Sequence, residues 1–211
     1  MPEALTILHT DDTLVVISKP AGLLSVPGRG PERADCAAAR VQALVADALV
    51  VHRLDQATSG LLLFARGIEA QRRLSAAFEK RRVGKQYIAV VAGEPAEAEG
   101  RIELPLMADW PQRPRQKVDH EQGKPALTHW HRLGPGPISG TTRLALTPVT
   151  GRSHQLRVHL AAIGHTIVGD ELYAPAAWHA AAPRLLLHAQ RLAFDHPVSG
   201  AALVFEDPAP F

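Results

Sequence analysis

The feature that most constrains the fold of this chain is a series of short apolar runs separated by turn-forming residues. None approaches the ~20 residues that a membrane-spanning helix needs, and Leu61–Ala65 is typical. Most runs have the length of a β-strand, end at Gly, Pro or Asp residues, and are unevenly spaced. Predicted strands outnumber predicted helices. The pattern favours an α+β fold, one domain over residues 1–211 with a mixed, mainly antiparallel sheet, over a doubly wound parallel sheet.

Local patterns predict the individual elements. Helices are predicted at about 35–48 with Asp35 as the N-cap, at about 69–82, and at 153–163. The middle of the chain, 94–140, is rich in Pro and Gly and is predicted to hold loops with one or two strands. The other predicted strands are 5–8, 14–17, 49–51, 61–65, 85–91, 142–149, 185–187 and 202–205.

Composition and missing motifs exclude several classes of protein. The single cysteine, Cys36, rules out an internal disulfide framework and a cysteine-rich metal site. Residues 1–5 lack the basic and apolar order of a signal peptide, so we expect a soluble cytoplasmic protein. The chain has no phosphate-binding P-loop, no dinucleotide glycine fingerprint and no paired-histidine zinc motif. We therefore expect no metal site.

Positive charge is concentrated in one part of the chain. Between residues 66 and 85 there are seven basic and two acidic residues, a local charge of +5 against +2 for the whole chain. Eighteen of the 23 basic residues are arginine, which binds phosphate through a planar fork and stacks on bases. The predicted helix at 69–82 carries most of this charge, so it is a candidate surface for RNA. A solvated helix face explains the same pattern equally well.

Two segments combine cations with irregular backbone. Residues 52–60, HRLDQATSG, place a carboxylate and cations at the end of a predicted strand. Residues 151–159, GRSHQLRVH, place cations at the start of a predicted helix. Arg157 lies beside the apolar stripe of that helix, where it can reach a partly buried carboxylate, and the partner we expect is Asp55. A purely structural ion pair remains an alternative.

These segments resemble the motifs of a known enzyme family. Residues 52–61, 85–87 (KQY), 151–160 and 186–189 (LLHA) match, in order and spacing, the RluA family of pseudouridine synthases. Residues 19–28 and 109–114 (DWPQRP) resemble one branch of it, whose substrates are uridines in 23S rRNA and in the tRNA anticodon stem-loop. The resemblance covers nearly the whole chain. A departure is Thr166, where relatives often have proline, and it affects only a turn.

The resemblance implies a fold, a reaction and a set of site residues. It implies a pseudouridine synthase catalytic domain without an N-terminal S4 domain, an isomerase that needs no cofactor, and an RNA substrate in 23S rRNA and/or the tRNA anticodon arm. By this resemblance Asp55 is the catalytic carboxylate, assisted by Tyr87 and Arg157. We expect a monomer that binds neither DNA nor a membrane. Arg53, which matches a family arginine, is expected to bind the RNA substrate, together with His52 and Arg152 of the same motifs. Charge clustering alone adds Arg81, Arg82, Arg113 and Arg115 to the expected RNA-binding residues.

Two other classes of function stay open at this stage. A glycosidase acting on nucleosides or sugars usually needs two carboxylates, and the motifs offer only Asp55. A non-catalytic RNA-binding module would use the same basic residues. Free uracil as a product would support the glycosidase, and a variant of Asp55 that binds RNA without activity would exclude the binding module.

Overall fold

Twelve strands and four α-helices form in residues 5–211, the part of the chain that this computed structural model describes. The helices are α1 (Ala37–Leu44), α2 (Ile68–Glu79), α3 (Gln155–Ala162) and α4 (Ala176–Ala180). The strands are β1 (Thr6–Thr10), β2 (Leu14–Lys19), β3 (Ala48–Val50), β4 (Ser59–Arg66), β5 (Gly84–Ala92), β6 (Glu99–Glu103), β7 (Leu106–Ala108), β8 (Gln116–Val118), β9 (Leu127–Pro135), β10 (Thr141–Pro148), β11 (Leu187–Asp195) and β12 (Ala202–Glu206).

The first of two compact units contains residues 5–85 and His188–Pro210. In its sheet β2 lies between β1 and β4, antiparallel to both, and β3 pairs with the second half of β4. The start of β4 pairs with β11 in parallel, and β12 is antiparallel to β11. Helix α2 packs Ala70 and Leu74 against the apolar face of this sheet, and Phe78 adds to the same core. The structure thus confirms a helix in the region predicted at about 69–82.

The second unit contains Gln86–Leu187 and Phe211. Its sheet is antiparallel, in the order β5, β10, β9 and β6, and β7 pairs with β8 in a separate two-stranded sheet. Helix α3 is buried along most of its length, and its Val158 packs with Leu106 and Ala126. Together the two units confirm the α+β class and the mixed, mainly antiparallel pairing of strands. The prediction of one catalytic domain over residues 1–211 stays a prediction.

The predicted bounds of the first helix are wrong. Helix α1 begins after Cys36, whose sulfur accepts a hydrogen bond from the backbone N–H of Ala39, 3.4 Å away. Asp35 does not cap it, because both carboxylate oxygens bind the Arg40 guanidinium at 2.7 and 2.6 Å. A charge-assisted bidentate bond is stronger than an N-cap bond to a backbone amide. The helix also ends at Leu44, four residues before the predicted end at about 48, and Leu44 is 65% exposed.

Other elements differ in extent from their predictions. The segment 94–140 holds four strands, β6 to β9, where one or two were predicted, because short polar strands such as Gln116–Val118 carry no apolar signal. Strand β11 extends from Leu187 to Asp195, beyond the predicted 185–187, since its polar residues hid the pattern. Helix α2 ends at Glu79, three residues early, and α3 spans Gln155–Ala162 inside the predicted 153–163.

Candidate active site

The loop between β3 and β4 carries Asp55 and is held firmly on both sides of that residue. Leu54 is buried, its backbone N–H donates to Ser25 Oγ at 3.0 Å, and its carbonyl accepts from the same hydroxyl at 2.7 Å. The backbone N–H of Thr58 donates to the carbonyl of Asp55 at 3.1 Å, which closes a turn. Asp55 itself is partly exposed. Its backbone is therefore fixed, as a positioned reactive group requires.

The buried cation Lys19 also holds this loop in place. Its side chain is 0% exposed, and Nζ donates to the carbonyls of Pro20 at 2.9 Å, Leu23 at 2.8 Å and Gln56 at 3.1 Å. A buried ammonium group is tolerated only when its hydrogens are satisfied, and here three carbonyl dipoles do so. Because Gln56 directly follows Asp55, Lys19 ties the end of β2 to the Asp55 turn. The sequence placed Lys19 only within the stretch 19–28 that resembles the family branch, with no role for its side chain.

The Thr58-Ser59-Gly60 motif meets the LLHA motif where β4 and β11 run in parallel. Ser59 Oγ lies 2.8 Å from His188 Nδ1, and His188 Nε2 lies 2.9 Å from the carbonyl oxygen of Asp207. Gly60 has φ +107°, and a Cβ there would come within 2.7 Å of the backbone nitrogen of Ala189. The glycine is therefore required by the close approach of the two strands. Two motifs far apart in sequence thus stabilise the start of β4 just after the Asp55 turn.

His52 is part of the first motif and is a neutral acceptor. Its Nε2 accepts a hydrogen bond from the backbone N–H of Leu63 at 3.0 Å, so that nitrogen carries no proton. The ring stacks on Phe78, with centroids 4.4 Å apart and planes at 21°. Burial, with a smaller contribution from the Lys85 charge, lowers the pKa of His52 to about 3. The interpretation of His52 as a cation is therefore wrong, and its contact with RNA stays a prediction.

Ion pairs and hydrogen bonds engage part of the basic stripe 66–85, and its remaining positive charge lies at the C-terminal end of α2. Arg72 binds Glu69 at 2.6 Å, and Arg73 donates to the carbonyl of Pro197 at 2.7 Å. Arg81 and Arg82 are exposed and form no ion pair within the described residues. Arg81 has φ +58°, a left-handed conformation that usually takes glycine at the end of a helix. Because the residue in that strained position is an arginine, the turn is a candidate binding surface.

Lys85 lies six residues after Glu79 and faces the same end of α2. Burial and, to a smaller extent, the charge of Arg81 lower the pKa of Lys85. Arg53, in the first motif, is exposed. These residues leave the first unit with positive charge close in sequence to Asp55 and at the end of α2.

In the second unit, Arg157 forms a buried ion pair that the sequence did not identify. Its Nε and Nη2 donate to the Asp170 carboxylate at 2.8 and 2.6 Å, with the two side chains 3% and 1% exposed. Asp170 also accepts from the backbone N–H groups of Leu172 and Tyr173. The residue that fixes the Arg157 side chain is thus Asp170, whereas its expected pairing with Asp55 stays a prediction. No local spacing signals Asp170, because it lies on a loop 13 residues further along the chain.

Tyr173, which the sequence analysis did not single out, contacts two of the predicted site residues. Its hydroxyl accepts from the backbone N–H of Gln116 at 2.7 Å and lies 2.8 Å from His154 Nδ1. The guanidinium carbons of Arg115 and Arg157 lie 5.3 and 5.1 Å from its ring centroid, in the range of cation–π attraction. The structure therefore brings Arg115 and Arg157 to one ring.

Three further predicted residues, Tyr87, Arg152 and Arg113, belong to the second unit. Tyr87 is half-buried on β5, opposite Leu146 of β10. Arg152 is exposed, and its Nε donates to the carbonyl of Pro125 at 3.2 Å. Arg113 is exposed and covers the ring of Trp110, 3.3 Å from its centroid.

The other motif side chains of α3 hold the backbone together. Gln155 is 4% exposed, its Oε1 accepts from Thr150 Oγ1 and from the backbone of Arg152, and its Nε2 donates to the carbonyl of Leu127. His159 is fully buried between Thr128 Oγ1 and the carbonyl of Leu104, and burial lowers its pKa. Within residues 5–211, no group of three or more His, Cys, Asp or Glu side chains is placed to hold a metal ion.

The fold and the motif residues define an RNA-modifying enzyme, and comparison with known proteins gives the family. Residues 13–162 match the family model described as RNA pseudouridylate synthase, which is more than half of the chain. The chain belongs to this family, which consists of isomerases.

Individual relatives are similar over almost the full length of the chain. It is 49% identical over 207 residues to the dual-specificity RNA pseudouridine synthase RluA of Escherichia coli strain K12, with 98% of this chain and 94% of the relative covered. The enzyme of the same description from Pasteurella multocida is 50% identical over 207 residues, again covering 98% of this chain and 94% of the relative.

Solved structures agree with this assignment. Human RNA pseudouridylate synthase domain containing 1 matches with a TM-score of 0.83 and 28% identity, over 99% of this chain and 85% of that chain. Human RNA pseudouridylate synthase domain containing 4 has the same fold, with a TM-score of 0.78 over 97% of this chain and 88% of that chain. The predicted activity, an RNA pseudouridine synthase, is confirmed by these findings. Every helix within residues 5–211 is too short or too polar to cross a lipid bilayer.

Proposed function

We propose that this chain isomerises specific uridines to pseudouridine in stem-loops of 23S rRNA and/or the anticodon arm of tRNA. The observation that carries the proposal is Asp55, within an intact motif, on a turn fixed by Ser25 and Lys19. The relatives at 49% and 50% identity bear the description dual-specificity, which supports two RNA substrates. We place the enzyme in the cytoplasm, as a monomer that uses no cofactor.

Asp55 acts on the sugar of the target nucleotide. The reaction breaks the bond between C1′ and N1, turns the uracil, and joins C1′ to C5. The carboxylate either attacks the sugar or removes a sugar proton, and both roles require its ionised form. A reacting group must be held in place. Two backbone contacts do this for Asp55: Leu54 is bound to Ser25, and the N–H of Thr58 donates to the carbonyl of Asp55.

Tyr87 and Arg157 complete the proposed catalytic set. Tyr87 stacks on the uracil and helps to remove the proton from C5, in a general-base role that its hydroxyl permits. Arg157 supplies positive charge from a side chain that Asp170 and Tyr173 hold in one orientation. We propose that its charge keeps the catalytic carboxylate ionised and oriented.

The RNA is held by exposed arginines. A uridine in a stem-loop must leave its stack to reach the catalytic carboxylate, and Arg53 fills the space it leaves or holds a phosphate. Arg81 and Arg82, at the end of α2, bind the flanking backbone together with Arg113, Arg115 and Arg152. The exposure of Arg53, Arg81 and Arg82, and their lack of ion pairs within the described residues, supports this role.

The experiment measures tritium release from C5-labelled uridine in transcripts of 23S rRNA and of a tRNA set. Wild type is compared with Asp55→Asn and with Asp47→Asn, a matched change at an exposed carboxylate paired with Arg66. We expect release by wild type and Asp47→Asn, none by Asp55→Asn, and no free uracil. Free uracil would indicate a glycosidase, and full activity of Asp55→Asn would remove Asp55 from the chemistry. Charge reversal at Arg81 and Arg82 should weaken RNA binding and its salt dependence; unchanged binding would exclude that surface.

A further inference from the structure

The short loop between β7 and β8 exposes a large aromatic side chain. Trp110, on a 3₁₀ turn of this loop, is 63% exposed. The two other tryptophans of the chain are at least partly buried, and Trp130 is only 9% exposed. An indole is the largest apolar surface that one side chain can present, and an exposed indole is typical of a binding surface.

A guanidinium is stacked on this indole. The Arg113 Cζ lies 3.3 Å from the centroid of the Trp110 ring, which is the distance of flat contact. Arg113 covers one face of the ring in this way, and Trp110 as a whole is still 63% exposed. The arrangement therefore offers an aromatic face and a positive charge side by side. That pair matches the base and the phosphate of one unpaired nucleotide.

The loop that carries the pair is closed and anchored. The backbone N–H of Asp109 donates to the carbonyl of Arg115 at 2.9 Å, and two further backbone bonds link Asp109, Gln112 and Arg115 within the loop. Immediately after it, Gln116 donates to the Tyr173 hydroxyl, and the Arg115 guanidinium lies over the Tyr173 ring. A prefolded loop loses little conformational entropy when it binds.

The anchor connects the loop to a residue of the proposed catalytic set. Arg115 and Arg157 lie over the same Tyr173 ring, at 5.3 and 5.1 Å from its centroid. The loop is thus separated from Arg157 by one layer of side chains. A nucleotide on Trp110 would then sit on a loop that the Tyr173 ring links to Arg157.

Charge favours RNA as the occupant of this surface. The segment from Asp109 to Asp119 holds three cations, and Asp119 engages one of them, Lys117, at 3.2 Å. The guanidiniums of Arg113 and Arg115 contact aromatic rings and form no ion pair within the described residues. A positive, aromatic surface binds unpaired bases and phosphates and repels other basic surfaces.

We propose that Trp110, together with Arg113, is a stacking platform for an unpaired base that neighbours the target uridine and so selects single-stranded loops over paired RNA. This rests on the proposed function, since it assumes an RNA substrate. The indole supplies the face on which the base stacks, and Arg113 keeps the ring in position and supplies charge. A base within a duplex has both faces covered by its neighbours and cannot occupy the platform.

Binding of two RNA probes tests the platform. The first is an RNA hairpin with an unpaired loop that contains uridine, and the second is the same sequence annealed to its full complement. Dissociation constants are measured for wild type, Trp110→Phe, Trp110→Leu and Leu133→Ala. The last removes another exposed apolar side chain of the same unit, 50% exposed, as a matched control.

Loss of the aromatic face should weaken hairpin binding selectively. We expect Trp110→Leu to weaken hairpin binding about tenfold, within the range that one lost base stack produces. Trp110→Phe and Leu133→Ala should stay within about twofold of wild type, and duplex binding should not change. Thermal unfolding should show that all variants remain folded, since these positions are exposed.

The outcomes separate this proposal from the proposed function. Equal hairpin affinity of Trp110→Leu and wild type, or equal weakening with hairpin and duplex, would overturn the platform. Tritium release by wild type answers the proposed function independently, because the binding assay needs no catalysis. A wild type that binds the hairpin through Trp110 but releases no tritium would keep the platform and refute the activity.

Discussion

The buried ion pair between Arg157 and Asp170 gives the sharpest test of how this fold holds its site. In Asp170→Asn the side-chain oxygen can still accept from the backbone N–H groups of Leu172 and Tyr173, as Oδ1 does now. The new amide NH₂ then takes the place of Oδ2, which faces Arg157 Nε at 2.8 Å. Two donors would be opposed, and the buried guanidinium would lose its carboxylate.

The size of the effect follows from burial. The Arg157 and Asp170 side chains are 3% and 1% exposed, and breaking such a pair by removing one partner costs about 3–5 kcal/mol. For a chain of this length that corresponds to a melting temperature lower by roughly 6–20 °C. Glu69→Gln is the matched control, because it breaks the pair with Arg72, whose side chains are 70% and 68% exposed. Its loss should stay below about 1 kcal/mol.

Urea unfolding followed by circular dichroism measures both free energies. The midpoint for Asp170→Asn should fall while the slope with denaturant stays unchanged, since the buried area is the same. Adding Arg157→Met should restore part of the stability, because the unpaired charge is then gone. A loss of less than 1 kcal/mol in Asp170→Asn would refute the reasoning, as would a loss equal to that of Glu69→Gln.

Three further predictions follow from individual contacts. The pKa of His52 is about 3 in the folded chain and 6.5 when unperturbed, so the unfolded chain binds more protons between these values. The stability of wild type should therefore fall as the pH drops from 6.5 towards 3, and the urea midpoint of His52→Gln should fall less over the same range. Equal dependence of the two urea midpoints on pH would contradict a lowered pKa for His52. Arg81→Gly should raise the free energy of unfolding by about 1 kcal/mol, because glycine suits φ +58°. The same change should weaken RNA binding and lower the slope of log affinity against log salt concentration by about one. A loss of stability would argue against strain at this turn. Lys19→Met should destabilise by about 1–3 kcal/mol, since it leaves three carbonyls without their donor, and should lower kcat more than RNA affinity. Lys124→Met, at an exposed lysine outside the basic stripe, should change neither stability nor kcat, and the Lys19 assignment fails if Lys19→Met leaves kcat unaffected.

Much of the fold was accessible from the sequence because its signals are local. The apolar face of α2 repeats at helical spacing, and Ala70 and Leu74 are buried as that spacing predicts. The strand 61–65 was found within β4, since a short apolar run bounded by turns is typical of a buried strand. Strands β7 and β8 escaped because each has only three residues and little apolar pattern.

In the candidate site, too, some features could be predicted from local sequence and others could not. The motif around Asp55 could be read directly, because its residue types and spacing lie within ten positions of the chain. The charge of His52 could not, since it depends on Leu63 and Phe78 closing around the ring. The partner of Arg157 could not either, because a bidentate bond to Asp170 depends on where a distant loop is placed.

The sequence by itself determined the family, the α+β class, the motif that carries Asp55 and the position of the basic stripe. Only the tertiary structure decided what holds these parts in place: Lys19 on the carbonyl of Gln56, Ser25 on Leu54, and Ser59 against His188. These pairs are separated by 37, 29 and 129 positions. Periodicity and propensity act over a few residues, whereas hydrogen bonds between distant segments exist only after the chain has packed.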